Sequence, residues 1–217
     1  MMIVFQEHVA SIKCYEDKVR RVLDSGSKKE FQQNDYLTGK LLVAMPFMAD
    51  SRFDHAVIYL CGHDEYGAIG LMINKPLNSL TFTDLLMQLD IAPLPTARTV
   101  QMQAGGPVEV SRGFVLHSTD YHSDSTVRVG EHFCITATLD ILRTLAQGQG
   151  PRKFLLALGY TGWGVNQLEQ ELQDNYWIVV EPSEEIVFNS ALDFRWRASM
   201  ASLGVDPLTL SLDSGRA

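Results

Sequence analysis

Short apolar runs, each closed within a few residues by glycine, proline or a polar turn, constrain this chain more than any other feature. Lys40–Met45 is stopped by Pro46. His55–His63 leads into the turn-rich Asp64-Glu65-Tyr66-Gly67, and Ala68–Asn74 ends at Lys75-Pro76. Phe154–Tyr160 is a further run of this kind, and Thr161-Gly162-Trp163-Gly164 after it reads as an abrupt turn. Such runs have the length of strands and fall short of the roughly 20 residues that span a bilayer. Two of them around a short Gly-containing loop predict a β-hairpin.

Helical spacing appears between the runs. Thr81–Leu89 carries Phe82, Leu85, Leu86 and Leu89 on one side, and Thr138–Gln147 carries Leu139, Leu142 and Leu145 before Gly148 and Gly150 end it. A helix over about Val165–Gln173 opens with Asn166 and Glu169 as a capping pair, and Phe194–Leu203 closes the domain. Thr99–Gln103, Tyr176–Val180 and Ile186–Phe188 read as strands, as does Gly113–His117 after a turn at Ser111-Arg112. Strands in hairpin-like clusters with few helices between them predict an α+β fold rather than a βαβ alternation.

Domain organisation follows from the change of texture. Residues 1–24 have the apolar spacing of an amphipathic helix, and Asp24–Lys29 reads as a linker, so 1–33 is an extension to a main domain over 34–206, with 207–217 as a tail. Apolar residues make up 46% and charged residues 20% of the 217-residue chain, enough to build a core without disulfide or metal staples. Cys14, Cys61 and Cys134 are an odd, sparse set that predicts reduced thiols. With no export signal or membrane span in the pattern, the expected location is cytoplasmic. A net charge of −8 weighs against nucleic acid as a direct partner, because cationic side chains supply most of that affinity.

Several strings, in register, resemble the bacterial YqgE/AlgH family. They are Leu41–Pro46, Val57–His63 with Gly67–Pro76, Gly105–Glu109 with Arg112–His117, and Ala157–Trp163 running into Gln167-Leu168-Glu169, closing with Arg195-Trp196 and Leu203–Asp206. The resemblance implies a bent, split antiparallel sheet forming a pseudo-barrel with flanking helices. Some members carry the label of transcriptional regulator. Two departures stand out: this chain has Gly62 where the family usually has Glu, and Thr161 where it usually has Ala.

The residues offer limited chemistry. Gly159–Gly164 lacks the G-x-S-x-G spacing of a nucleophile elbow, and no Walker or Rossmann glycine pattern follows a strand, so no cofactor is expected. Cys61-x-His63 with His132-x-Cys134 could supply four zinc ligands, but the spacing is shorter than usual and no metal is expected. Cys61 near His63 could make an activated thiol, so an enzyme or redox sensor using Cys61 with His63 or His117 stays open. The leading expectation is a binding or regulatory protein acting through a small ligand or a protein partner. Its surface would gather Asn74, Lys75 and Pro76, Gly105, Gly106 and Pro107, and Tyr160, Trp163, Gln167 and Glu169, with Arg112 or His117 nearby.

Overall fold

The computed structural model of the protein describes residues 36–92, 94 and 100–204. The expected N-terminal helix and linker, Cys14 and the tail at 207–217 lie outside the described residues. In chain order the elements are β1 Leu41–Ala44, β2 Val57–Asp64, β3 Gly67–Met72, α1 Phe82–Gln88, β4 Met102–Ala104, β5 Val108–Ser118, β6 Val127–Arg128, β7 Phe133–Thr136, α2 Leu139–Ala146, β8 Phe154–Trp163, α3 Gln167–Gln173, β9 Trp177–Val180 and α4 Leu192–Ser202.

The strands join in the order β6-β7-β5-β8-β3-β2-β1-β9, and the sheet curls into an open half-barrel with helices around it. This is the α+β pseudo-barrel that the resemblance implies. All pairings on that path are antiparallel; β4 lies off it and pairs with β8 in parallel. The predicted hairpin is β2–β3, closed between Asp64 and Gly67.

Continuous apolar runs arise because both faces of the sheet are covered. Leu41, Val43, Val57, Tyr59, Phe114, Leu116, Leu155 and Ala157 face the inside of the half-barrel, where Trp196 and Met200 of α4 close it. Their neighbours point the other way. Val115, Leu156 and Leu158 pack under α1 and α2, while Leu42, Ala44, Ile58 and Leu60 pack near Trp163 and Leu168 at α3. Each fully buried leucine contributes roughly 1.5–3 kcal/mol, so alternation between two cores replaces alternation between core and solvent.

Strand β8 splits the sheet. Leu155–Leu158 pairs with β5, whereas Thr161–Trp163 pairs with β3. Gly159 between them has φ +74, and a Cβ there would stand 2.4 Å from the Gly106 carbonyl oxygen. Gly106 has the reciprocal constraint, since its Cβ would meet the Tyr160 carbonyl carbon at 2.1 Å. Only glycine permits both backbones to cross this closely.

The same crossing explains several departures from the sequence reading. Thr161–Trp163 is not a turn but the second half of β8, because the bend occurs earlier, at Gly159. Ser111-Arg112 is not a turn either; it lies in a register shift of β5 between Val108 and Gly113. Ile186–Phe188 belongs to a wide helical turn, Glu185–Asn189, which lays Ile186 and Val187 over the half-barrel. Asn166 adopts the left-handed conformation and makes no capping bond; Gln167 Oε1 accepts from the Gly164 N–H instead, at 3.0 Å.

Gly159→Ala and Gly106→Ala are each expected to lower the unfolding free energy by more than about 2 kcal/mol in urea titrations, from positive-φ strain plus backbone overlap. Gly162→Ala, whose Cβ would find its nearest neighbour at 3.6 Å, is the control and should stay within about 1 kcal/mol of the parent. Equal effects at the three positions would contradict the crossing as the pivot of the fold.

Candidate functional site

The end of β3 builds a cleft with α4. Asn74 is nearly buried, at 8% exposure, and its amide bridges the loop before β2 to the first residue of that strand. Its Oδ1 accepts from the Val57 N–H and its Nδ2 donates to the His55 carbonyl, both at 2.8 Å. Lys75 donates from Nζ to the Asp54 carbonyl of the same loop. These bonds hold His55 in the left-handed region, at φ 50, a conformation that His adopts more readily than most non-glycine residues.

The His55 ring is held from two sides. Its Nδ1 lies 2.6 Å from Asp54 Oδ1, so the ring N–H donates to the carboxylate and Nε2 is the nitrogen left to face outward. Trp196 of α4 meets the imidazole edge-on, with centroids 4.4 Å apart, and is anchored by its own indole N–H donating to the Ala44 carbonyl at 2.7 Å. The opening that results has a volume of about 1150 Å³, and Pro46, Asp54, Lys75, Pro76, Phe194 and Arg197 contribute to its lining with His55 and Asn74. That is somewhat larger than the roughly 300–1,000 Å³ of most small-molecule sites.

Arg195 fastens the wall carrying Trp196 and Arg197. It is 5% exposed and donates to the Ser190 carbonyl through Nε at 3.1 Å and to the Ile73 carbonyl through Nη1. Burial pulls this guanidinium down to about 10. It serves as a tie between α4 and the end of β3.

The residues singled out in the sequence fall into separate places. Asn74, Lys75 and Pro76 line the cleft. Gly105, Gly106 and Tyr160 form the backbone crossing, which touches the segment 72–75 through main-chain bonds: Met72 N–H to Gly105 O and Ala104 N–H to Lys75 O, each at 2.8 Å, with Pro107 following. Arg112 sits beside that crossing, 3.2 Å from Glu109, whose carboxylate also accepts from the Tyr160 hydroxyl at 3.2 Å. Trp163, Gln167 and Glu169 belong to the α3 side. There Glu171 accepts from the indoles of Trp163 and Trp177 at 2.8 and 2.7 Å and from Gln167 at 2.8 Å.

The cysteine and histidine candidates do not pair with one another. His63 accepts the Leu37 N–H at Nδ1 (3.1 Å) and donates from Nε2 to Glu169 at 2.7 Å. His117 is fully buried, with Nδ1 donating to the Ser118 carbonyl and Nε2 accepting from Thr136; burial pulls its pKa down. Cys61 packs against the half-barrel core and its thiol donates to the Tyr59 carbonyl at 3.6 Å. Burial pushes that thiol up to about 12, the Leu71 N–H offsetting only part of the effect. Cys61 and Cys134 are both free thiols, and among the described residues no three His, Cys, Asp or Glu side chains gather as a metal site.

Asp54, His55, Trp196 and Arg197 are the cleft residues that the sequence reading did not select. Their signal is faint: an acid–imidazole pair at the start of an apolar run, and an Arg-Trp-Arg string that lies in the closing helix and whose Arg195-Trp196 carries part of the family resemblance without marking a site.

A curled α+β half-barrel with a glycine-pivoted strand and a helix-walled cleft is thus the class of protein in hand. A family model described as AlgH-like matches residues 41–208, and the chain belongs to that family. It is 47% identical over 182 residues to a UPF0301 protein of Rhodospirillum rubrum, covering 84% of this chain and 95% of that one. A UPF0301 protein of a Jannaschia species is 49% identical over 183 residues, with coverage of 83% and 95%. The solution structure of the AlgH protein from Pseudomonas aeruginosa matches with a TM-score of 0.70 and 39% identity, over 87% of this chain and all of that one. A crystal structure from Corynebacterium diphtheriae, at 20% identity and TM-score 0.63, shares the fold. No helix among the described residues is long and apolar enough to cross a membrane.

At pH 8, Cys61 in the native protein is expected to alkylate with iodoacetamide at least tenfold more slowly than in the urea-unfolded chain, because its raised pKa leaves little thiolate below about 12. Peptide mass spectrometry separates it from the other thiols. Equal native and unfolded rates would restore Cys61 as a reactive group.

Proposed function

We propose that this AlgH-like protein is a binding protein that captures a small molecule in the cleft between the end of β3 and α4, and acts through that capture. Any effect on transcription is then indirect, through a ligand-dependent state of the protein. The observation that carries this reading is the Asn74 bridge, which holds an imidazole in a left-handed backbone conformation at the mouth of a large cleft. Polar groups locked by their supporting bonds are what a specific small-ligand site requires.

A protein-docking patch has less support. The most exposed large apolar residues among those described, Met87, Val165, Phe194, Tyr66 and Val110, sit on five different elements or turns, and singly exposed apolar residues are ordinary. Thiol or histidine catalysis through Cys61, His63 or His117 has less support too, since each is occupied by a separate set of partners.

The test is purification under native conditions followed by mass spectrometry of bound small molecules. The parent chain should carry a molecule that Ala201→Trp, which fills the cleft from α4, does not. Lys75→Ala should reduce the load at least tenfold while moving the melting midpoint little, because Lys75 is partly exposed. An identical load on parent and filled variant, or no bound molecule on the parent, would overturn the reading.

A further inference from the structure

We infer that the molecule taken by the cleft is a small organic anion with a flat apolar body, its charged end met by Lys75 and Arg197. This rests on the capture reading above and adds the chemical class of the ligand. The argument begins with charge. The chain as a whole carries −8, so an anion gains nothing from the general field and needs a local set of donors.

The cleft has such a set, drawn from two walls. Lys75 comes from the end of β3 and Arg197 from α4. Lys75 spends one N–H on the Asp54 carbonyl and keeps two for another acceptor. No ion pair among the described residues engages Arg197, which is exposed at the cleft with a planar fork suited to carboxylate or phosphate.

Two acids share the lining, and each has another engagement. The Asp54 carboxylate is bound to His55 Nδ1 at 2.6 Å, so its charge is already engaged by the imidazole. Asp193 lies in the first turn of α4, where the helix dipole favours a negative charge. The apolar part of the ligand has its own surface: Phe194 of α4 lines the cleft at 59% exposure, as does Pro46 beyond the end of β1. A planar ring on Phe194 recovers the favourable geometry of aromatic pairs.

The experiment uses the full ¹⁵N-labelled chain titrated with phenyl phosphate, inorganic phosphate and benzyl alcohol, read by amide and indole chemical shifts. Phenyl phosphate should shift His55, Asn74, Lys75 and the Trp196 indole. It should bind about fivefold more tightly than inorganic phosphate, and at least tenfold more tightly than benzyl alcohol. Arg197→Gln and Lys75→Gln should each weaken phenyl phosphate about tenfold, while Arg143→Ala on α2 should leave it unchanged. Benzyl alcohol binding as well as phenyl phosphate, an unaltered affinity in Arg197→Gln, shifts centred elsewhere, or no shifts at all would each overturn the inference. A natural co-purifying molecule that is displaced by Ala201→Trp yet uncharged at neutral pH would overturn this class assignment and leave the capture reading standing.

Discussion

The close backbone crossing between Gly106 and the Gly159-Tyr160 peptide is the constraint on which the rest of the structure depends. One strand cannot pair with β5 along its first half and β3 along its second unless it turns between them. Gly159 makes that turn without a side chain in the way. Because β8 then belongs to both halves of the sheet, the sheet can curl far enough for α4 to close its concave side. Trp196 and Met200 become core residues as a result.

The cleft is a consequence of the same geometry. The crossing places Ala104 and Gly105 against the end of β3, where their bonds to Lys75 and Met72 fix the direction in which that segment leaves the sheet. Asn74 and Arg195 then join this segment to the loop before β2 and to α4. Buried groups of this kind are costly to leave unpaired, so three separate chain segments are held in one arrangement. The glycines at 105 and 106 thus act on the site by shaping its support, without lining the cleft.

Much of the architecture was legible because apolar run length carries over into strands. β1 and the first half of β8 lie within the runs read from the sequence, β2 and β3 each extend one residue into the turn read between them, at Asp64 and Gly67, and all four helices fall within about two residues of their expected spans. What failed were local turn signals. Gly162 and Gly164 drew the turn to the wrong place, since a glycine inside an apolar run is silent until its φ is known. β7 passed unseen: Phe133–Thr136 has no flanking pattern beyond a short run, and its burial comes from β5 and the half-barrel interior. The cleft was half legible. Asn74, Lys75 and Pro76 stood out beside a strand end, but His55 looked like the first residue of a strand, and Arg197 is separated from both by most of the chain. Only tertiary contact joins them.

In the proposed function, the protein works by ordering a ligand in that cleft. Amide hydrogen exchange on the native chain, with and without the small-molecule fraction of a cell extract, tests it most directly. Slowed exchange confined to 54–57, 73–76 and 192–202, and weaker in Arg197→Gln, is what ligand capture in the cleft predicts. Protection that appears instead along Val108–Arg112 or α3, or no change at any amide, would contradict it.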